Sequence, residues 1–356
     1  MQQVADQRPG LALLSDSMGC SARELGLFVL DKLGQPPEAL RRFIMARCGA
    51  SVMSLTMAYL AAEVPTSISE KQLFREWAKP LTQLLTDDLG TGNRSVGIWF
   101  GRVERRAVLM FVSGERMVHL DATSMRPDSE GRIRLNGELL VPAERLKAMQ
   151  NLGRFAYSGC TIDAEIALPK FAIDCEPRVS NEPAWIALEV FPAGRVQSSP
   201  VLQMLAFPAS NPSKTYVRRS REKAAVVTDA TEASLELLRM LNAVRQKGRL
   251  APVELAVEES GMATHLAPHY FAAMMGLAPE TMADTVMLGL EAEWAAGSIV
   301  RDTHFTAVFV PEARDLAEVL DAALEMPTGR ETLLNPDVRK VAIGPLLLPH
   351  HGVVAA

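Results

Sequence analysis

The period of the hydrophobic residues changes twice along this chain, and that change limits the fold more than any single motif does. A stretch of roughly 125 residues, from about Ser95 to Arg219, consists of short β-favouring runs cut by Gly and Pro. On either side the apolar residues recur at helical spacing. Many short strands without alternating helices point to antiparallel packing. The sequence predicts an α+β chain with a helical N-terminal layer, a central antiparallel β sandwich or jelly-roll-like module, and a mainly helical C-terminal part with a few strands. The divisions fall at an arm over 1–20, a helical segment over 21–94, a β-rich module over 95–213, a basic linker over 214–228 and a C-terminal segment over 229–356.

Within the N-terminal segment, Ser21 with Glu24 and Ser67 with Glu70 read as capping boxes. A helix from about Glu38 to Glu63 is expected between them, with an apolar run over Cys48–Ala62 too short to span a membrane. In the β module, Arg106–Val112 and Arg116–Asp121 are joined by Ser113-Gly114, and Asn136-Gly137 reads as a hairpin turn between Arg132–Leu135 and Glu138–Val141. A short helix is expected over Ala143–Gln150. Asp229 with Glu232 caps an amphipathic helix that Gly248 ends. Both termini carry apolar residues where free tails are normally polar: Leu11, Leu13 and Leu14 in the arm, and a final 341–356 segment without Asp, Glu, Lys or Arg. At least one of them should dock.

Apolar residues make up 48% of the chain before its 23 glycines are counted, and charged residues only 22%. With no membrane span in view, that balance leans toward surface hidden in homo-oligomer interfaces. A net charge of −5 argues against a surface that binds nucleic acid everywhere. The four cysteines are widely spaced without a C-x-x-C pair, which reads as reduced thiols in a cytoplasmic protein. No secretory leader is legible at the start.

Fragments of catalytic motifs are present, but no cluster. Asp88-Leu89-Gly90-Thr91-Gly92-Asn93 resembles the glycine loop of class I S-adenosylmethionine-dependent methyltransferases over about ten residues. Such a loop implies close backbone approach to the cofactor. Arg94 stands where a third glycine is favoured, the preceding leucines have helical spacing, and no βαβ repeat follows. A helix end with a glycine turn accounts for it more simply. His265 and His269 lie four apart, as in zinc proteases, but with Pro268 between them and no Glu beside His265. The sequence assigns no catalytic residue, metal ligand or cofactor.

The clearest partner signal is the linker, where Lys214, Tyr216, Arg218, Arg219, Arg221 and Lys223 present local positive charge and one stacking ring. Single-stranded RNA is the expected ligand there. At the level of architecture alone, helical layers around a β module resemble the shell proteins of some double-stranded RNA viruses, and the local basic patch is similar to that of viral nucleoproteins. The expectation is a self-assembling structural protein, a viral capsid or shell subunit or a nucleoprotein, leaning away from enzyme. It would be cytoplasmic or in the virion, partnered with itself and not with a membrane. The alternative is a soluble enzyme or a bacterial secretion-apparatus component.

Overall fold

The computed structural model describes residues 12–32, 34–53, 55–88, 93–121, 127–177, 183–193, 198–207, 224–274, 277–279, 281–282, 285–286, 305–308, 310, 313, 315–348 and 352–355. They form a mixed α+β fold with seven helices and several antiparallel sheets.

The N-terminal unit is a three-layer sandwich. Strand β1 (Ala12–Leu14) leads into helix α1 (Asp16–Lys32) and helix α2 (Glu38–Arg47), followed by β2 (Leu55–Glu63), helix α3 (Glu70–Asp88) and the long hairpin β3 (Arg94–Val103) and β4 (Arg106–Glu115). The sheet order is β1-β3-β4-β2, with β1 parallel to β3 and the other pairs antiparallel. Eight consecutive residues of β4 are buried because both sheet faces are covered. Met18, Leu25 and Val29 of α1 pack with Val108, Met110 and Val112 on one side. Leu73 and Trp77 of α3 pack with Ala107 and Phe100 on the other. α1 lies so close to β3 that a Cβ at Gly97 would sit 2.0 Å from the Met18 carbonyl oxygen.

The structure corrects the helix expected over Glu38–Glu63. α2 stops at Arg47, Gly49 turns with φ +72°, and Leu55–Glu63 is a strand. The sheet pairing also runs across the expected 94/95 boundary, since β2 and β4 hydrogen-bond along nine residues. At the start of α3 the capping box lies beside the expected one: Ser69 Oγ accepts from the Gln72 N–H (3.3 Å), and Gln72 Oε1 accepts from the Ser69 N–H (3.1 Å).

The central module is the expected antiparallel sandwich. Its strands are β5 (Val118–Leu120), β6 (Ile133–Leu139), β7 (Arg145–Leu152), β8 (Ala156–Gly159), β9 (Thr161–Ile162), β10 (Lys170–Cys175), β11 (Ala184–Phe191) and β12 (Ser199–Ala206). One sheet runs β5-β6-β10-β9 and the other β12-β11-β7-β8. Lettered along the chain as A, B, C, C′, D, E, F and G, these orders read A-B-E-D and G-F-C-C′. That is the immunoglobulin-type Greek key, not the strand order of a jelly roll. Ile133, Leu135, Ile173, Ile186 and Leu188 fill the space between the sheets.

Two local expectations fail here. Asn136-Gly137 is not a hairpin turn, because β6 runs straight through it. The glycine serves close packing: a Cβ there would lie 2.3 Å from the His119 carbonyl oxygen of β5 and 2.9 Å from the Phe171 ring. The helix expected over Ala143–Gln150 is instead β7, paired with β11.

The cysteines require a further correction. Cys20 of α1 is bonded to Cys48 at the end of α2, and Cys160, between β8 and β9, to Cys175 at the end of β10. No cysteine is free. Wide sequence spacing hid both pairs, since folding brings the Cα atoms of each within 6 Å.

The C-terminal unit contains α4 (Ala230–Lys247), β13 (Glu254–Leu255), α5 (Val257–Met274), α6 (Leu316–Glu325), α7 (Pro327–Leu334), β14 (Lys340–Val341), β15 (Pro345–Leu348) and β16 (Gly352–Ala355). Asp229 caps α4 as expected, accepting from the Glu232 N–H at 2.9 Å. Arg245, fully buried, donates to the carbonyls of Ala251, Leu333, Asn335 and Val338. Burial lowers its pKa. As expected, terminal segments dock: β1 pairs with β3, and the hairpin of β15 and β16 packs against α4, α5 and α6.

Candidate functional site: an open sheet edge

β2 is the outer strand of the N-terminal sheet, and no other strand lies beside it among the described residues. It is nine residues long, Leu-Thr-Met-Ala-Tyr-Leu-Ala-Ala-Glu, without proline or bulge, and its one charge, Glu63, sits at the end. Its side chains are anchored on both faces. Leu55, Met57 and Tyr59 pack against the core under α1 and α2, Ala58 against Val96 and Phe111, and Ala62 against the α3 side. Thr56 Oγ1 also accepts from Arg94 Nη2 at 3.4 Å. The strand is therefore held straight and in register while its outward N–H and C=O groups face away from the sheet. Natural proteins blunt such edges unless the edge is used. On the α3 face of the same sheet, the Phe74 ring, 38% exposed, lies tilted against Phe100 of β3 at 4.9 Å.

A second constellation joins the sandwich to the C-terminal unit. Glu189 on β11 and Lys147 on β7 are cross-strand partners, and Lys147 Nζ meets Glu331 of α7. Ser198 Oγ donates to Glu189 Oε2 at 3.0 Å. Burial pushes the Glu189 carboxyl above its ordinary range, while Lys147 and Ser198 pull it back. Tyr157 on β8 is raised by burial and then by the Glu331 and Asp337 charges. Arg330, 4% exposed, reaches from α7 to the carbonyls of Gly153 and Ala156. Two carboxylates around one ammonium, beside a buried guanidinium bound to carbonyls, form a tie between units. On the same outer face of this sheet, Trp185 and Leu205 join the core of α1 and α2. The G-F-C-C′ face is thus enclosed by both neighbours.

The residues expected to bind nucleic acid, Lys214, Tyr216, Arg218, Arg219, Arg221 and Lys223, lie outside the described residues. So do Gly90, Thr91 and Gly92 of the glycine motif; α3 precedes it up to Asp88, as its leucine spacing implied. His265 and His269 are both exposed on α5, which continues through Pro268 where an interruption was expected. Among the described residues no three His, Cys, Asp or Glu side chains gather as a metal site. The open edge itself escaped the sequence reading, because its Ala, Leu and Met content matches a buried helix. Gly49 was the available signal for where that helix ends. Neither a protein-family model nor a curated protein sequence matches the chain.

Proposed function

We propose that this chain is a self-assembling structural protein whose subunits join through the open edge of β2. Capsid or shell subunits and nucleoproteins are the nearest functional types. One observation carries the reading: a nine-residue, proline-free apolar strand is fixed at the end of a sheet, and among the described residues no strand pairs with its outer side. Two copies laid antiparallel along β2 form a two-fold contact automatically, since identical edges are self-complementary. The result is a continuous eight-stranded sheet, with main-chain bonds supplying affinity and the Leu, Met, Tyr and Ala side chains of β2 supplying area. Any nucleic-acid binding is assigned to Lys214–Lys223 as a separate, electrostatic function.

No helix among the described residues is long and apolar enough to cross a membrane. Disulfides do not persist in a reducing cytoplasm. Under this reading the cytoplasm is the place of synthesis, and the two bonds close once the subunit reaches oxidising surroundings. A second reading, a binding protein that works outside the cytoplasm, is favoured by those same disulfides together with the immunoglobulin-type sandwich.

The test is the solution mass of the full chain, whose monomer is 38.8 kDa. A dimer or larger assembly is expected from the parent. Thr56 and Ala61 are exposed, so Thr56→Lys with Ala61→Lys should give a folded monomer. A parent that stays monomeric when concentrated, or a double variant that assembles as well as the parent, contradicts the proposal.

A further inference from the structure

A cleft of about 350 Å³ lies where the start of α1 meets the loop before β2 and the first strand of the sandwich. Its polar lining is Ser15, Ser17, Ser51, Ser95, Arg116 and His119. We propose that this cleft binds an oxyanion, the phosphate or carboxylate group of a small ligand.

Three observations converge on that chemistry. First, the cleft receives the N-terminus of a 17-residue helix, whose first-turn amides have no partner within the helix. The Ser15 and Ser17 hydroxyls, 2.7 Å apart, stand at that end. Asp16 sits in the same turn but does not line the cleft. Second, Ser95 is only 6% exposed as a residue, and its hydroxyl makes no hydrogen bond to a described residue. It lies on the same face of β3 as Gly97, the face that meets α1, so it points into the cleft. Its hydroxyl is left open to the cleft, where a ligand can accept from it. Third, the half-buried Arg116 forms no ion pair with a described residue. Its backbone N–H is fixed on the Asn93 carbonyl at 2.7 Å, which holds the side chain at the cleft wall. Serine hydroxyls, helix amides, one guanidinium and one imidazole are a donor set, and among the described residues no carboxylate lines the site to compete. The volume lies at the lower end of small-molecule sites.

The site does not depend on how subunits associate. Its test is calorimetric titration of the full chain at low salt, with inorganic phosphate in one arm and succinate in the other. Saturable binding of either anion is expected, and the tighter arm identifies the ligand group. Arg116→Gln should weaken that binding by about tenfold or more, because hydrogen bonds to charged groups are the strong ones. Ser95→Ala should weaken it by a smaller factor while leaving the melting curve unchanged, which separates loss of a ligand contact from loss of fold. Failure of both anions to saturate overturns the proposal, as does an Arg116→Gln protein that binds like the parent.

Discussion

The sandwich and the N-terminal unit are both built on four-stranded sheets, yet they end those sheets in opposite ways. In the sandwich every edge is blunted. β5, β9 and β8 are three, two and four residues long. The eight-residue β12 carries Pro200 and pairs across a register shift at Leu188/Glu189. In the N-terminal sheet one edge, β1, is also only three residues long, but β2 runs for nine residues with neither proline nor bulge. Short, bulged or proline-bearing edges resist pairing with other chains, and long apolar ones invite it. The difference separates a module finished within one subunit from a sheet that another copy can extend.

The largest effect that sharpens this comparison comes from the disulfides, since each unit holds one. Chain-entropy arguments give about 3.5 kcal/mol for a crosslink spanning 28 residues, as for Cys20–Cys48, and about 3 kcal/mol for one spanning 15, as for Cys160–Cys175. Cys48→Ser should also loosen the segment leading into β2 and lower assembly. Cys160→Ser should destabilise the sandwich and leave association intact. Denaturation midpoints read beside solution masses distinguish the two, and equal loss of assembly in both variants would break the comparison.

Next in size is Arg330→Ala. It removes donors from the Leu324, Gly153 and Ala156 carbonyls and should cost about 3 kcal/mol. The loss belongs to the junction between the sandwich and α7, so limited proteolysis should release the C-terminal unit while the β2 edge remains protected.

The smallest effect is a pH dependence at Glu189. Its folded pKa is raised above the ordinary 4.5, mainly by burial, so the native state keeps this proton longer than the unfolded chain does. That contribution to stability is complete below 4.5 and is lost as pH rises through the folded value. Glu189→Gln should match the parent in acid and gain a small margin over it at neutral pH. A margin that is greatest in acid would contradict this sign.

The sequence was most legible where one signal dominated. Asp229 and Glu232 mark the start of α4, and the β-favouring runs at Val96–Phe100 and Ala184–Phe191 mark strands that are present. It misled where local preference and tertiary pairing disagree. The β2 residues favour a helix on their own, but nine ladder pairs with β4 decide otherwise. Ala143–Gln150 reads as helical for the same reason, but β7 lies there and pairs with β11. Asn136-Gly137 signals a turn by composition, whereas its glycine is required by the nearness of β5. The cleft at α1 was illegible because Ser95, Arg116 and Ser15 converge only once the sheet has formed. Both disulfides share that dependence on long-range folding.

The central claim is that β2 pairs with another copy of itself, and amide hydrogen exchange tests this most directly. Exchange should be followed strand by strand in dilute and in concentrated protein. The account predicts that amides of Leu55–Glu63 gain protection on concentration while those of β5, β8, β9 and β12 do not change. An assembly that forms without added protection in β2, or with protection gained along a sandwich edge instead, would contradict it.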